Sequence, residues 1–330
     1  MFVQRLLIAL PLLLLITSGC ATCCQDSKAE GNSTNGVTLT RHENRVRVEF
    51  GGHLFTEYFF QNVTRPYCYP VIGPGGQAMT RNYPMKVVEG EEQDHIHHRS
   101  LWYGHLNVNG HDFWGETAKS GKVVHEQFLE LKSGKESGVL KAQNKWLAAD
   151  GTVICTDERK LTFHNQGSNR ALDFEITLHA SHGELVLGDD KDGTMAIRLA
   201  ESMRLKPTKA HGNKPTGHIV QNTGVRDGDT WGKRAAWCDY SGQVDDKLVG
   251  VAIFDHPKNP RHPTWWHVRD YGLFAANPFG QHHFEKLADK HAGAMTIPAG
   301  KSATFRYRFY FHEGDDQQGK VAEQYRAYIR

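Results

Sequence analysis

Several features are scarce in this 330-residue chain, and each scarcity narrows the reading. Charge is nearly balanced: 39 lysines and arginines against 37 acidic residues give a formal +2. No long basic run occurs, so nucleic acid is not an expected partner. No apolar stretch approaches the roughly 20 residues of a membrane-spanning helix; the longest, Leu6 to Ile16, falls well short. Cysteine is sparse beyond residue 24, with Cys68, Cys155 and Cys238 scattered. The single C-x-x-C, Cys20 to Cys23, has no second pair, which excludes a zinc ribbon. One disulfide among the later three is an open alternative, and burial as small apolar side chains is the expectation. No H-E-x-x-H is present, and helical periodicity is rare.

What is present begins with a targeting signal. Arg5, the apolar run and Thr17-Ser18-Gly19-Cys20 resemble a bacterial lipoprotein signal, with Cys20 lipidated. Ordinary secretory cleavage near Ala21 is the alternative. The expected layout is a signal over 1–20, a flexible tether over 21–36 and one domain over 37–330, in an exported periplasmic or outer-membrane-anchored protein. The lipid anchor would be its only membrane contact.

From Val37 the pattern is short alternating runs. Leu172, Phe174, Ile176 and Leu178 alternate with Asp173, Glu175, Thr177 and His179, as in a half-buried antiparallel strand. Val139–Ala149 and Thr152–Phe163 predict a hairpin with a two-residue turn at Asp150-Gly151. Arg65–Pro84 reads as a long ordered loop. Met195–Leu205 reads as a strand. Lys320–Ile329 predicts a helix, with Val321, Tyr325 and Ile329 at spacing four. The fold class that follows is all-β, a large antiparallel β-sandwich with a short C-terminal helix.

The abundant residue is histidine, 20 in all. Four fall within Asp94–His105, followed by Asp112, Trp114 and Glu116. A second dense stretch runs from Arg261 to Gly272. Strand geometry would put His95, His97 and Arg99 on one face of the first stretch and His98 on the other. It would likewise put Trp265, His267 and Arg269 on one face of the second.

Histidine exchanges protons near neutral pH, which makes His97 and His267 candidate bases. Glu201 would alternate onto an apolar face, where desolvation raises a carboxyl pKa; it and Asp270 are candidate acids. Arg65 and Arg99 are candidate binders of a carboxylate or oxyanion. Tyr69, His95, His98, Trp102, Trp114, Arg269 and Asn277 complete a polar-aromatic set suited to a sugar or oligosaccharide. No cofactor is favoured. A divalent metal held by His95, His97 and His267 is an alternative. For any single histidine a structural role is as expected as a functional one, and His98 and His105 are candidates for hydrogen-bonded core groups.

The motifs Tyr69-Pro70 to Gly73-Pro74, Thr80-Arg81-Asn82-Tyr83-Pro84, Asp94-His95-x-His97-His98-Arg99-Ser100-Leu101-Trp102, Val108-Asn109-Gly110 and Asp112-Phe113-Trp114 resemble the PmoA-like family, a domain of unknown function. His267-x-Arg269-Asp270-Tyr271-Gly272 and Asn277-Pro278-Phe279-Gly280 resemble its C-terminal signature. Ile96 departs from the family's frequent Asp-His-Pro. The resemblance covers about residues 37 to 328. It implies a sandwich similar to the galactose-mutarotase supersandwich, in bacteria that degrade polysaccharides. That class includes hydrolases, lyases and epimerases; a non-catalytic glycan-binding lipoprotein is the alternative. The methane-oxidation reading that the family label invites is set aside, because no mature stretch spans a bilayer.

Overall fold

The computed structural model describes residues 36–207 and 215–330, besides Met1. The signal segment, Cys20 and the tether up to residue 35 lie outside the described residues. From Ser33 onward the chain clusters as one compact unit. No described helix is long and apolar enough to cross a membrane.

Two eight-stranded antiparallel sheets face each other. The first runs, in spatial order, β1 (Val37–Arg41), β2 (Arg45–Phe50), β3 (His53–Phe59), β4 (Tyr67–Val71), β5 (Leu101–His105), β11 (Gly193–Arg198), β16 (Leu273–Asn277) and β15 (Trp265–Val268). The second runs β12 (His218–Gln221), β13 (Trp237–Val244), β14 (Lys247–Asp255), β18 (Ser302–Glu313), β9 (Asn169–His179), β8 (Val153–Gln166), β7 (Ser137–Leu147) and β6 (Lys122–Lys132). β10 (Leu185–Leu187) pairs with β17 (Met295–Ile297) outside both. The all-β sandwich expected from the alternation is what forms.

Alternation explains the layers. In β7, and in β9 from Leu172 on, every second residue is buried and the rest meet solvent, as a sheet with one wet face requires. The inner faces supply Trp146, Phe174, Phe274, Phe309 and Trp266 to one continuous core. β5, β11 and β16 are buried on both faces, so something covers the outer side of the first sheet; long loops do. Two α-helices occur among the described residues, α1 (Gln281–Glu285) and α2 (Val321–Tyr328), and the outer side of the second sheet is covered by α2, whose Val321, Tyr325 and Tyr328 pack on Trp237, Phe254 and Tyr310. The third contact is Tyr328 rather than Ile329, which is exposed because the helix ends one residue before it.

Three local expectations change. The hairpin forms, but Ala148 N–H bonds the Thr152 carbonyl across a three-residue loop, with Gly151 at φ +89° and Asp150 accepting from Thr152 N–H. That is the geometry of a longer loop with glycine in the left-handed region. Residues 65–84 are not all loop: β4 forms there and pairs with β3 and β5 despite Pro70. β11 stops at Arg198, and Glu201–Met203 is a 3-10 turn. The three later cysteines are free and buried.

Candidate active site

The covered outer face of the first sheet holds the chemistry. Register places Tyr67 opposite Trp102, Trp102 opposite Ala196, Ala196 opposite Ala275, and Ala275 opposite His267. One row therefore crosses five strands with rings at both ends and two alanines between. The alanines leave room for rings from the covering loops, and Tyr271 packs there.

Those loops carry the first histidine stretch. It is a tight turn, not a strand: His95 and Ser100 have φ of 45° and 57°, and His98 N–H bonds the His95 carbonyl at 2.9 Å. The expected two-face alternation is therefore lost, and all three rings converge. His98 stacks on Trp102 at 5.4 Å and under His95 at 4.6 Å; His95 stacks on Tyr271 at 5.3 Å. His97 meets His98 edge-on at 4.5 Å. The pillar joins the two histidine stretches on the same side of the sheet, since Tyr271 belongs to the second.

Buried guanidiniums fix the pillar. Arg81 and Arg198 both pair with Asp94, and His95 Nδ1 lies 2.8 Å from its other oxygen. Burial alone would raise the Asp94 pKa; the His95 hydrogen bond and the two arginines outweigh it and hold the carboxyl well below the usual range. Arg198 Nη1 also faces His98 Nδ1 at 3.3 Å. A guanidinium only donates, so Nδ1 accepts and the His98 proton sits on Nε2. Burial and that arginine lower the His98 pKa far below the histidine range.

His97 differs from its neighbours. Its ring is half-buried and has no hydrogen-bond partner among the described residues. Burial, then Arg65 and His95, push its pKa down to about 4, although Glu116 and Asp192 pull the other way. It is an unprotonated imidazole at neutral pH. His267 is buried in the opposite wall. Its Nδ1 accepts from Trp231 Nε1 at 3.3 Å, which leaves its proton on Nε2, 3.8 Å from Asp192 Oδ1. Burial pushes its pKa down to about 3, against the pull of Asp192. Asp192 thus lies within electrostatic reach of both histidines. Its carboxylate meets Lys191 at 2.8 Å and, among the described residues, no arginine.

Asp192 is the functional residue that sequence reasoning missed. It ends an Asp- and Gly-rich run that reads as a solvated turn and carries no motif. The fold aims it. Asn277 donates to the carbonyls of Asp190 and Lys191, both at 2.9 Å, and the Asp192 carbonyl accepts from Leu106 N–H. Asn277 was expected to present its amide to substrate; it is instead fully buried and serves to hold the Asp192 loop.

Other expected site residues are brought near but already occupied. Arg65 donates to the carbonyls of His97, Trp114 and Gly115, so it ties loops together rather than binding an oxyanion. Arg99 forms a bidentate pair with Glu116, both contacts 2.7 Å. Trp102 and Trp114 are floor, not platform: both are buried and pack 5.1 Å apart. Tyr69 donates to Asn82 at 2.7 Å. Glu201 opens the 3-10 turn with its buried carboxylate 2.6 Å from Arg204 and 3.8 Å from Arg198, so it braces two arginines instead of standing on an apolar strand face. Asp270 lies in the turn between β15 and β16 and lines a separate recess with Trp231 and Arg269. His105 is a core group, bonded to the Gly188 carbonyl at 2.7 Å. Among the described residues no three His, Cys, Asp or Glu side chains are grouped as a metal ion would require. His95, His97 and His267 are therefore not such a set: His95 and His97 stack in the pillar while His267 faces Trp231.

A family model matches residues 45–326, and the chain belongs to that family, a family of unknown function (DUF6807). No curated protein matches. Solved structures match at low identity. An α-galactosidase from Lactobacillus brevis is 8% identical with a TM-score of 0.38, over 88% of this chain and 41% of that one. A galactose mutarotase related enzyme from Lactobacillus acidophilus is 10% identical with a TM-score of 0.31, over 85% of this chain and 98% of that one. The galactosidase domain of an α-galactosidase–sucrose kinase is 7% identical with a TM-score of 0.42, over 86% and 41%. The chain spans about two fifths of the length of the α-galactosidase.

Proposed function

We propose that the protein is an exported, carbohydrate-active enzyme that moves a proton at a sugar carbon or hydroxyl, with His97 and Asp192 as the reacting pair. The observation that carries this reading is the contrast at His97. His95, His98 and His267 are each tied by a hydrogen bond or an ion pair, while His97 is neutral, has no such partner among the described residues and is within electrostatic reach of Asp192. A neutral imidazole takes a proton at pH 7 without first having to lose one. His267 is too buried to meet substrate; its Nε2–H faces the Asp192 carboxylate at 3.8 Å and helps to position it.

The carboxylates favour proton transfer over glycoside hydrolysis. Hydrolysis needs two carboxyl groups flanking one bond. Of the carboxylates around the pillar, Glu116 and Asp94 are held by arginine, as is Glu201 nearby, and Asp192 meets none among the described residues. Epimerisation or β-elimination needs a base rather than a second carboxyl group flanking one bond, and His97 supplies that base. Pure glycan binding would have every histidine engaged, and His97 argues against it. The signal at the N-terminus, with Cys20 as lipidation site, would place the enzyme in the periplasm or on the outer membrane.

The test is incubation of the domain from residue 25 on with plant and algal oligosaccharides, read by mass spectrometry and by chromatography for epimers. Turnover that disappears in His97→Ala, with folding intact, is expected. Binding without turnover across the panel would move the protein to the glycan-binding class. A gain of water in the product would make it a hydrolase and overturn the proton-transfer assignment.

A further inference from the structure

The arginines of this face fall into two groups. Arg65, Arg81, Arg99, Arg198 and Arg204 each have a carboxylate or backbone carbonyls as acceptors. Arg269 has none among the described residues. It follows β15 directly, in the turn that leads to Tyr271. Its guanidinium lies 5.7 Å from the Trp231 ring and 5.5 Å from the Tyr271 ring. The two rings hold it by cation–π attraction and leave the edge of its planar fork without an acceptor. Tyr271 also stacks on His95 at 5.3 Å, so Arg269 stands beside the histidine pillar, two residues beyond His267. On its other side the recess of about 270 Å³ contains Asp227 and Asp270, neither within ion-pair distance of it.

We infer that Arg269 binds the carboxylate of an acidic sugar, so that the substrate class is a uronic acid or an oligosaccharide that contains one. This rests on the sugar reading of the site and adds the charge of the ligand. A guanidinium fork matches a carboxylate with two parallel N–H···O bonds. An arginine pinned between two rings loses little freedom on forming them. The carboxylate binders expected from sequence, Arg65 and Arg99, are occupied, so the role passes to the one arginine left open. A carboxylate at C5 also acidifies the neighbouring C–H, the proton that a neutral base such as His97 would remove.

Binding is measured by calorimetry on His97→Ala protein, which separates affinity from turnover, with matched pairs of uronate and neutral oligosaccharides and one sulfated neutral sugar. The uronate should bind roughly ten- to hundredfold tighter than its neutral partner. The preference should weaken with salt, vanish in Arg269→Gln and return in part in Arg269→Lys, with thermal unfolding confirming that the variants fold. Equal binding of both members of a pair would overturn the inference and leave the sugar reading standing. So would a preference that survives Arg269→Gln, or tighter binding of the sulfated sugar. No binding of any sugar, acidic or neutral, would overturn the sugar reading itself and this inference with it.

Discussion

His312 and His267 are both buried histidines next to an aspartate, yet they have opposite chemistry. His312 lies on β18 in the second sheet. Its Nε2 faces Asp239 at 2.8 Å and its Nδ1 faces the Glu313 carbonyl at 3.2 Å. Both nitrogens meet acceptors, which favours the doubly protonated ring. Burial would lower its pKa, but Asp239 and the carbonyl outweigh it and the pKa is raised. His267 has a donor, Trp231, on one nitrogen and its aspartate at 3.8 Å from the other. Burial then dominates and the ring stays neutral. Burial alone therefore says nothing about a histidine's role. The hydrogen-bond partners decide whether it is a charged strut or a neutral group available for chemistry, and His97, with no such partner, is the extreme of the second kind.

The sharpest way to break this contrast is at the two ends. His97→Gln should lower turnover by roughly 10²- to 10⁴-fold while leaving denaturant unfolding nearly unchanged. His312→Leu should do the reverse. Leaving Asp239 buried without its partner should cost about 3–5 kcal/mol in chemical denaturation, with turnover per folded molecule preserved. Asn277→Ala strips two carbonyls of their donor and should cost about 1–3 kcal/mol. It should also lower kcat with KM little changed, because the Asp192 loop is released.

The pH dependence should carry both signs. For His97 and His267 the folded pKa lies below the unfolded one near 6.5, so the unfolded chain binds more protons between about pH 6.5 and 4. Stability is lost as pH falls through that window. For His312 the folded pKa is raised, so its contribution is complete below about pH 6.5 and is lost as pH rises through the folded value. Unfolding curves of His267→Gln and His312→Gln from pH 4 to 9 should flatten the acid and alkaline limbs respectively. The smallest expected effect is Trp102→Phe, a floor substitution that should cost under about 1.5 kcal/mol.

The frame was legible from sequence wherever one face of a strand meets solvent. The alternation of β9 and the apolar set of α2 reach the structure almost unchanged. Legibility failed where loops cover a sheet. Tyr67 to Val71 looked broken because Pro70 sits inside it, yet it pairs on both sides. The Asp94–Ser100 turn looked like a strand because histidines alternate in it, and its left-handed residues are not glycine. The two dense histidine stretches did mark the site. Within it, composition could not separate His97 from His98, or Arg269 from Arg65, because the difference lies in partners that only the fold supplies. Asp192 was illegible for the same reason: only Asn277 and the β5–β11 pairing turn an ordinary acidic loop toward the histidines.

The most direct test of this division is a histidine nitrogen NMR titration of the wild-type domain, with His97 and His312 assigned through their glutamine variants. The account predicts that His97 is neutral at pH 7 and gains its proton only near pH 4, while His312 keeps its second proton to a pH above the ordinary histidine value. Titration of His97 near 6.5, or of His312 below the ordinary histidine value, would contradict it.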